Sequence, residues 1–144
     1  MKILIGVDDS AFSADLVRAM VKQFRSETTE ALVLHVLQEV GPPVPEMASG
    51  YAPDMEGERK SAHALVERIA KELRSAGFKT ETAVEVADVR EGIIDAALGW
   101  GADLIVVGSH GQRGIRRFLL GGTAEFVSSH AGCSVEIVRK PGTI

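Results

Sequence analysis

The chain has 144 residues, of which 45% are apolar and 25% are charged, and these values predict one globular domain, residues 1–144, with a buried core. The formal net charge of −4 excludes a global basic field that would attract nucleic acid or an anionic membrane. Because the sequence shows no signal peptide, no apolar run of about 18 residues and a single cysteine, Cys133, we expect a cytoplasmic protein without a membrane span or an internal disulfide.

Apolar spacing along the chain predicts five strands that alternate with four helices. Continuous or alternating apolar runs indicate the strands, and apolar residues that recur every three or four positions indicate the helices. The predicted strands are KILIGVD (2–8), ALVLHVL (31–37), KTETAVEVA (79–87), ADLIVVG (102–108) and SVEIVRK (134–140). The predicted helices cover 9–24, 57–77, 88–101 and 123–132. This order predicts an α/β fold with a parallel sheet and helices on both of its faces.

Local patterns add detail to these elements. In the first helix, Val21 belongs to the predicted apolar face, and Asp9 or Ser10 is expected to cap the start. In the third helix, the face expected to be buried holds Ile93, Ile94, Ala97 and Leu98. Four of the five prolines lie in the segment 38–55, which is therefore predicted to be a loop. That loop is longer than compact domains usually carry without a purpose.

Two residues mark the expected ligand site at the edge of the sheet. Asp8 ends the first predicted strand, and Gly108 ends the fourth. In parallel sheets of this kind, ligands bind beyond the carboxyl ends of the strands, where the winding direction reverses. If strands 1 and 4 are neighbours, Asp8 and Gly108 frame one crevice. Capping of the following helix is the alternative role for Asp8.

The segment VVGSHGQRGIRRFLLGGTAE, residues 106–125, is rich in glycine and arginine. It lacks the Lys-Ser/Thr pair of a P-loop and the Gly-x-Gly-x-x-Gly of a dinucleotide site, and it follows the fourth strand. Its pattern is Gly108-x-x-Gly111, nine residues, then Gly121-Gly122-Thr123 at a helix start. Exposed N–H groups at both ends, with Arg113 between them, favour a polyphosphate anion.

A purely structural explanation stays open at this point. Glycines between a strand and a helix often serve only the turn, and the cluster Arg113, Arg116 and Arg117 suits a solvated face equally well. The four histidines show no spacing typical of metal ligands. Only His110 falls within the glycine segment, where it is a candidate donor to phosphate.

The sequence resembles the universal stress protein family over essentially its whole length. Three segments carry the resemblance: ILIGVDDSAFSADLV, LVLHVLQE, and VVGSHGQRGIRRFLLGGTAEFV followed by HAGCSVEIV. It implies a three-layer α/β/α sandwich whose five-stranded parallel sheet has the strand order 3-2-1-4-5. It also implies an ATP-binding homodimer that acts in stress response and signalling. The ATP would carry Mg²⁺ on its phosphates.

The resemblance also implies roles for individual residues. Asp8 would lie near the ribose and adenine, and the backbone of Val36 would contact adenine. The residues expected at the phosphates are Gly108, Ser109, His110, Gly111, Arg113, Gly121, Gly122 and Thr123. The family's usual dimer uses the last strand, which makes Val135, Ile137 and Val138 the expected contacts; the alternative is that these side chains face the core.

The sequence departs from the family pattern at Gly122, where serine or threonine is expected. The hydroxyl that would reach the phosphates is absent, although Thr123 is the next residue. This change supports an alternative in which the protein is a dimeric scaffold without a nucleotide. A slow ATP hydrolase is a further alternative, but no residue presents itself to orient the attacking water.

Overall fold

The computed structural model of the protein describes residues 1–8, 12–39, 55–109 and 121–139. Five strands form one sheet: β1 (Lys2–Gly6), β2 (Glu30–Gln38), β3 (Lys79–Ala87), β4 (Leu104–Gly108) and β5 (Ser134–Val138). Every neighbouring pair is parallel, and the order across the sheet is β3-β2-β1-β4-β5. The predicted fold class is therefore confirmed, and strands 1 and 4 are neighbours.

Four helices connect these strands: α1 (Ser13–Gln23), α2 (Met55–Ser75), α3 (Val89–Trp100) and α4 (Gly122–His130). The crossovers through α1 and α2 lead from β1 outward to β3, whereas those through α3 and α4 run in the opposite direction, from β3 back across the sheet to β4 and then on to β5. Because parallel crossovers are right-handed, two opposite winding directions place the helices on opposite faces. The side chains agree, since α1 and α2 share one buried cluster with the sheet, and α3 and α4 share the other.

The sequences of the two central strands, β1 and β4, are apolar without interruption because both faces of each strand are buried. Successive side chains of a strand point to opposite faces, and here both faces are covered by helices. Ile3, Ile5 and Val106 pack toward α1 and α2. Leu4, Ile105 and Val107 pack toward α3 and α4. Among the described helices, none is long and apolar enough to cross a membrane.

Two side chains expected in the core are exposed. Leu98 of α3 is 81% exposed and Val21 of α1 is 48% exposed. In α3 the covered stripe follows Ile93 and Ala97, one turn apart, and Leu98 lies about 100° further around the helix. The apolar residues of these helices span a wider arc of the helix surface than the sheet covers. The expected caps Asp9 and Ser10 lie outside the described residues.

The third helix approaches β2 closely through a glycine. A Cβ added at Gly92 would lie 3.0 Å from Cγ1 of Val36 and 3.3 Å from Cβ of Ala87. A Cβ added at Gly99, in the last turn of the same helix, would meet nothing within 4 Å. Gly92 thus sets the distance between α3 and the carboxyl-terminal part of β2, where Val36 lies.

We expect Gly92→Ala to destabilise the protein and Gly99→Ala to leave its stability unchanged or raise it. Overpacking typically costs about 1–3 kcal/mol, which outweighs the gain of about 0.5–1 kcal/mol from alanine in a helix. Chemical denaturation followed by circular dichroism gives the free energy of unfolding of each variant. Equal stabilisation by both substitutions would show that the Val36 side chain moves to accommodate the new methyl group without a loss of stability.

Candidate functional site

The carboxyl ends of β1 and β4 lie side by side at one edge of the sheet. Ile5 pairs in register with Val106, so the chain leaves β1 after Gly6 at the level where β4 approaches its end at Gly108. Asp8 follows β1 by two residues. The structure therefore brings Asp8 and Gly108 to the same edge, at the point where the winding reverses.

The neighbouring strand β2 extends further than β1 at this edge. Gly6, the last residue of β1, pairs with Leu34, whereas β2 continues to Gln38. The Val7 amide donates to the Leu34 carbonyl at 2.9 Å, so the main-chain groups of Leu34 face β1. Main-chain groups alternate sides along a parallel strand. Those of Val36 therefore point to the side of β2 that β1 has left.

His35 contributes to ending the pairing of β1 with β2. Its Nδ1 donates to the Val7 carbonyl over 2.7 Å. In a continuing parallel ladder, that carbonyl would accept from the Val36 amide. Sequence reasoning assigns His35 no role and notes only that the histidines lack metal-ligand spacing. The feature that could have indicated this role is a single polar residue between apolar neighbours in a buried strand.

Ser109 links the end of β4 at Gly108 to Gly121, which precedes α4. The Ser109 amide donates to the Val138 carbonyl over 2.8 Å, and the Ser109 carbonyl accepts from the Gly121 amide over 2.6 Å. Ser109 is only 2% exposed. Its main chain is thus committed to holding β4, β5 and the start of α4 together. This junction places Gly108 beside Gly121.

The start of α4 presents main-chain donors at this edge. Gly121 is the N-cap residue in an extended conformation, and the helix begins at Gly122, which is exposed. The first N–H groups of a helix, here from Gly122 and Thr123, have no carbonyl partner within it, and the helix dipole adds positive potential. A Cβ added at Gly122 would meet nothing within 4 Å.

The glycines of the site do not require a left-handed conformation in the described part. Positive φ occurs there at Gly77 and Gly101, both at helix ends away from this edge, while Gly108 and Gly121 have none. His110, Gly111 and Arg113 lie outside the described residues, and so does most of the proline-rich segment 38–55.

A buried serine ties the main chain of Asp8 to the start of α1. Ser13, the first residue of α1, is 3% exposed, and its Oγ donates to the Asp8 carbonyl over 2.9 Å. Ser13 therefore stabilises the start of α1 through its side chain. Because the Asp8 main chain is held against α1, the position of its side chain in the crevice is fixed.

Neither a metal centre nor a reactive thiol is formed by the residues that the structure describes. Across 1–8, 12–39, 55–109 and 121–139, no three His, Cys, Asp or Glu side chains gather as ligands. Burial raises the pKa of the Cys133 thiol, and the Asp103 carboxylate raises it further. A protonated, partly buried thiol suits packing against the α3–α4 cluster.

Comparison with families of known proteins matches residues 1–139 to the universal stress protein family. Universal stress protein MJ0577 of Methanocaldococcus jannaschii is 30% identical, over 96% of this chain and 94% of the relative. The structure solved for MJ0577 superposes with a TM-score of 0.79 at 29% identity, covering 98% of this chain and 96% of that one.

Two further solved structures contain adenine nucleotides. A universal stress protein from Archaeoglobus fulgidus in complex with dAMP has a TM-score of 0.65 at 24% identity, over 95% of this chain and 96% of its own. A family member from Arabidopsis thaliana with AMP bound has a TM-score of 0.68 at 22% identity, over 99% of this chain and 93% of its own. At these identities the two likenesses show a shared fold.

We expect Ser13→Ala to lower the free energy of unfolding by about 1 kcal/mol, because a partly buried hydrogen bond to the Asp8 carbonyl is lost. Ser128→Ala is the matched control, since its Oγ also donates to a main-chain carbonyl, that of Glu125, but on an exposed helix surface. Urea denaturation of both variants measures the difference. Equal effects would mean that the Ser13 bond contributes no more to stability than a hydrogen bond on an exposed helix surface.

Proposed function

The chain belongs to the universal stress protein family, and we propose that it binds ATP, with Mg²⁺ on the phosphates, at the carboxyl edge of its sheet. In this proposal the protein is a nucleotide-dependent module of stress signalling. The bound state would be read by partners at the edge where the nucleotide sits.

One observation carries the proposal. The hydrogen bond from the Gly121 amide to the Ser109 carbonyl brings the end of β4 and the start of α4 to one place beside β1. Parallel sheets bind ligands at this reversal of winding, and helix N-termini favour anions. The nucleotides in the two related structures, dAMP and AMP, are the chemical class that such an edge would hold.

The groups on the β1–β2 side suit the nucleoside. The main-chain N–H and C=O of Val36 point to the side that β1 has left, so they would pair with the edge of an adenine ring. The Asp8 carboxylate would accept from ribose hydroxyls. The Val36 side chain itself is 6% exposed and packs in the core, which leaves only the main chain for recognition.

The groups on the β4–α4 side suit the phosphates. The amides of Gly122 and Thr123 would donate to phosphate oxygens, together with Gly108, His110, Gly111 and Arg113. A micromolar dissociation constant corresponds to about 8 kcal/mol, and bonds to charged groups contribute about 1.5–3 kcal/mol each. When bound, ATP would supply the negative charge that draws these donors together.

We also propose that two copies pair through β5, using Val135, Ile137 and Val138. Both β3 and β5 are edge strands. The edge β3 carries the exposed charges Lys79, Glu81 and Glu85, which discourage pairing with another chain. By contrast, β5 has one ionisable residue, Glu136, among apolar side chains that are partly exposed.

Saturating ATP is expected to raise the melting temperature. At about 100 times the dissociation constant, a ligand that binds only the folded state stabilises it by about 2.7 kcal/mol, or roughly 5–10 °C for a protein of this size. Differential scanning fluorimetry with ATP, ADP, AMP and adenosine measures the shift, and GTP tests base selectivity. A melting temperature that does not change with any adenine nucleotide would support the alternative of a dimeric scaffold without a nucleotide.

Gly122→Ser is expected to increase ATP affinity about tenfold, because the new hydroxyl would add a hydrogen bond to a phosphate of roughly 1.4 kcal/mol. Among the described residues, nothing lies within 4 Å of the new Cβ. Gly132→Ser is the control, since this glycine is also open to a Cβ but lies in the turn before β5, at the opposite edge. Titration calorimetry gives both affinities. Unchanged binding in Gly122→Ser would show that a hydroxyl at position 122 does not reach a phosphate.

A further inference from the structure

The ring of His35 binds the carbonyl at which the pairing of β1 with β2 stops. Val7, one residue beyond β1, still donates its amide to the Leu34 carbonyl over 2.9 Å. The next bond of a parallel ladder would run from the Val36 amide to the Val7 carbonyl. That bond does not form between these two residues, and the carbonyl accepts instead from Nδ1 of His35 over 2.7 Å. The imidazole thus takes the place of the Val36 amide.

The pairing of β2 with β3 shows which way the main chain of Val36 faces. The Glu39 amide donates to the Ala87 carbonyl, at the end of β3, over 2.9 Å. Because main-chain groups alternate sides along a strand, those of His35 also face β3, whereas those of Val36 face the side of β1. The N–H and C=O groups of Val36 therefore point to the edge at which β1 has ended.

The side chains of His35 and Val36 lie on opposite faces of the sheet. Val33 belongs to the buried cluster beneath α1 and α2, and His35 follows it by two residues, so its ring points to that face. Val36 belongs to the cluster beneath α3 and α4, where it packs close to Gly92. A change at position 35 therefore acts on the main chain of Val36 and not on the packing of its side chain.

A donor and an acceptor side by side match adenine better than guanine. Adenine carries its amino donor next to a ring-nitrogen acceptor, whereas guanine carries an oxygen acceptor in place of the amino group. The Val36 carbonyl would accept from the amino group of adenine, and the Val36 amide would donate to the ring nitrogen. With guanine, the same carbonyl would face another acceptor. An amide already bonded to Val7 would be lost to the base.

We propose that His35 is a positioning residue for recognition of the base. By occupying the Val7 carbonyl, its imidazole keeps the Val36 amide out of the ladder and leaves it to bind adenine. The inference rests on the ATP site of the proposed function and adds the residue that sets its base selectivity. His35 touches no nucleotide in this arrangement, so its substitution changes binding of the base and leaves binding of the phosphates unaltered.

His35→Leu removes the donor and matches the apolar neighbours in β2, so the Val7 carbonyl is expected to accept from the Val36 amide. The affinities for ATP and adenosine are then expected to fall about tenfold, because one hydrogen bond to the base is lost. The affinity for inorganic tripolyphosphate is expected to stay the same, and the preference for ATP over GTP is expected to shrink. Titration calorimetry with these four ligands measures each change.

Two further variants separate the proposed role from a loss of stability. His35→Asn keeps an N–H donor attached to Cγ, as Nδ1 is in histidine, and is expected to retain the wild-type affinities. His130→Leu is the matched control, since Nδ1 of His130 also donates to a main-chain carbonyl, that of Phe126, over 2.9 Å. That bond lies on the exposed surface of α4, and its loss is expected to leave the affinity for adenosine unchanged.

Nuclear magnetic resonance tests the main-chain arrangement without a ligand. A scalar coupling across the hydrogen bond from the Val36 nitrogen to the Val7 carbonyl carbon is expected in His35→Leu and not in the wild type or His35→Asn. In the wild type, a coupling from Nδ1 of His35 to the same carbon is expected. Adenosine is also expected to shift the Val36 amide proton of the wild type, and these two wild-type measurements do not depend on the folding of any variant.

The inference is supported if the Val36–Val7 coupling appears in His35→Leu and adenosine affinity falls while tripolyphosphate affinity does not. A coupling between Val36 and Val7 already present in the wild type overturns it, as does unchanged adenosine affinity or an equal loss for both ligands in His35→Leu. These results leave the ATP site in place. A wild-type protein that binds neither ATP nor adenosine overturns the proposed function, and the role of His35 in recognition with it.

Discussion

The pairing of β1 with β4 is the contact on which the rest of the architecture depends. From this pair the chain winds outward in two directions, so α1 and α2 cover one face and α3 and α4 the other. The same reversal puts the start of α1 and the start of α4 at one edge. A sheet wound in a single direction would place all four helices on one face, and the edge would have no crevice.

Unequal strand lengths shape that edge. β1 has five residues and β2 has nine, so the carboxyl-terminal part of β2 extends past β1 on the side that leads to Asp8. The imidazole of His35 contributes to this mismatch, because its Nδ1 donates to the Val7 carbonyl. A polar side chain in a buried strand therefore acts on the site through the main chain of its neighbours. Gly92 completes the arrangement by letting α3 lie close to Val36.

The sequence predicted the fold class, the five strands and a shared edge for Asp8 and Gly108, since long apolar runs specify the strands and parallel sheets bring their carboxyl ends together. Leu98 and Val21 were placed wrongly because spacing reveals an apolar arc but not how much of it a neighbour covers. The surroundings of individual glycines were harder still to predict. Gly92 and Gly122 are both helical, yet one sits against a side chain and the other in open space. That difference, like the role of His35, depends on contacts between distant segments.

The candidate site and the edge strand β5 share a hydrogen bond. The Ser109 carbonyl accepts from the amide of Gly121, just before α4, and the Ser109 amide donates to the Val138 carbonyl at the end of β5. A ligand that tightened the Gly108–Gly121 junction would thus act on the end of the strand proposed to pair with a second copy. Coupling of this kind is reciprocal, so pairing of β5 would tighten the junction in turn. Because the connection is one residue long and buried, it needs no movement of the helices. The proposed nucleotide site and the proposed subunit contact, joined through the main chain of Ser109, would influence each other in this way with only small displacements.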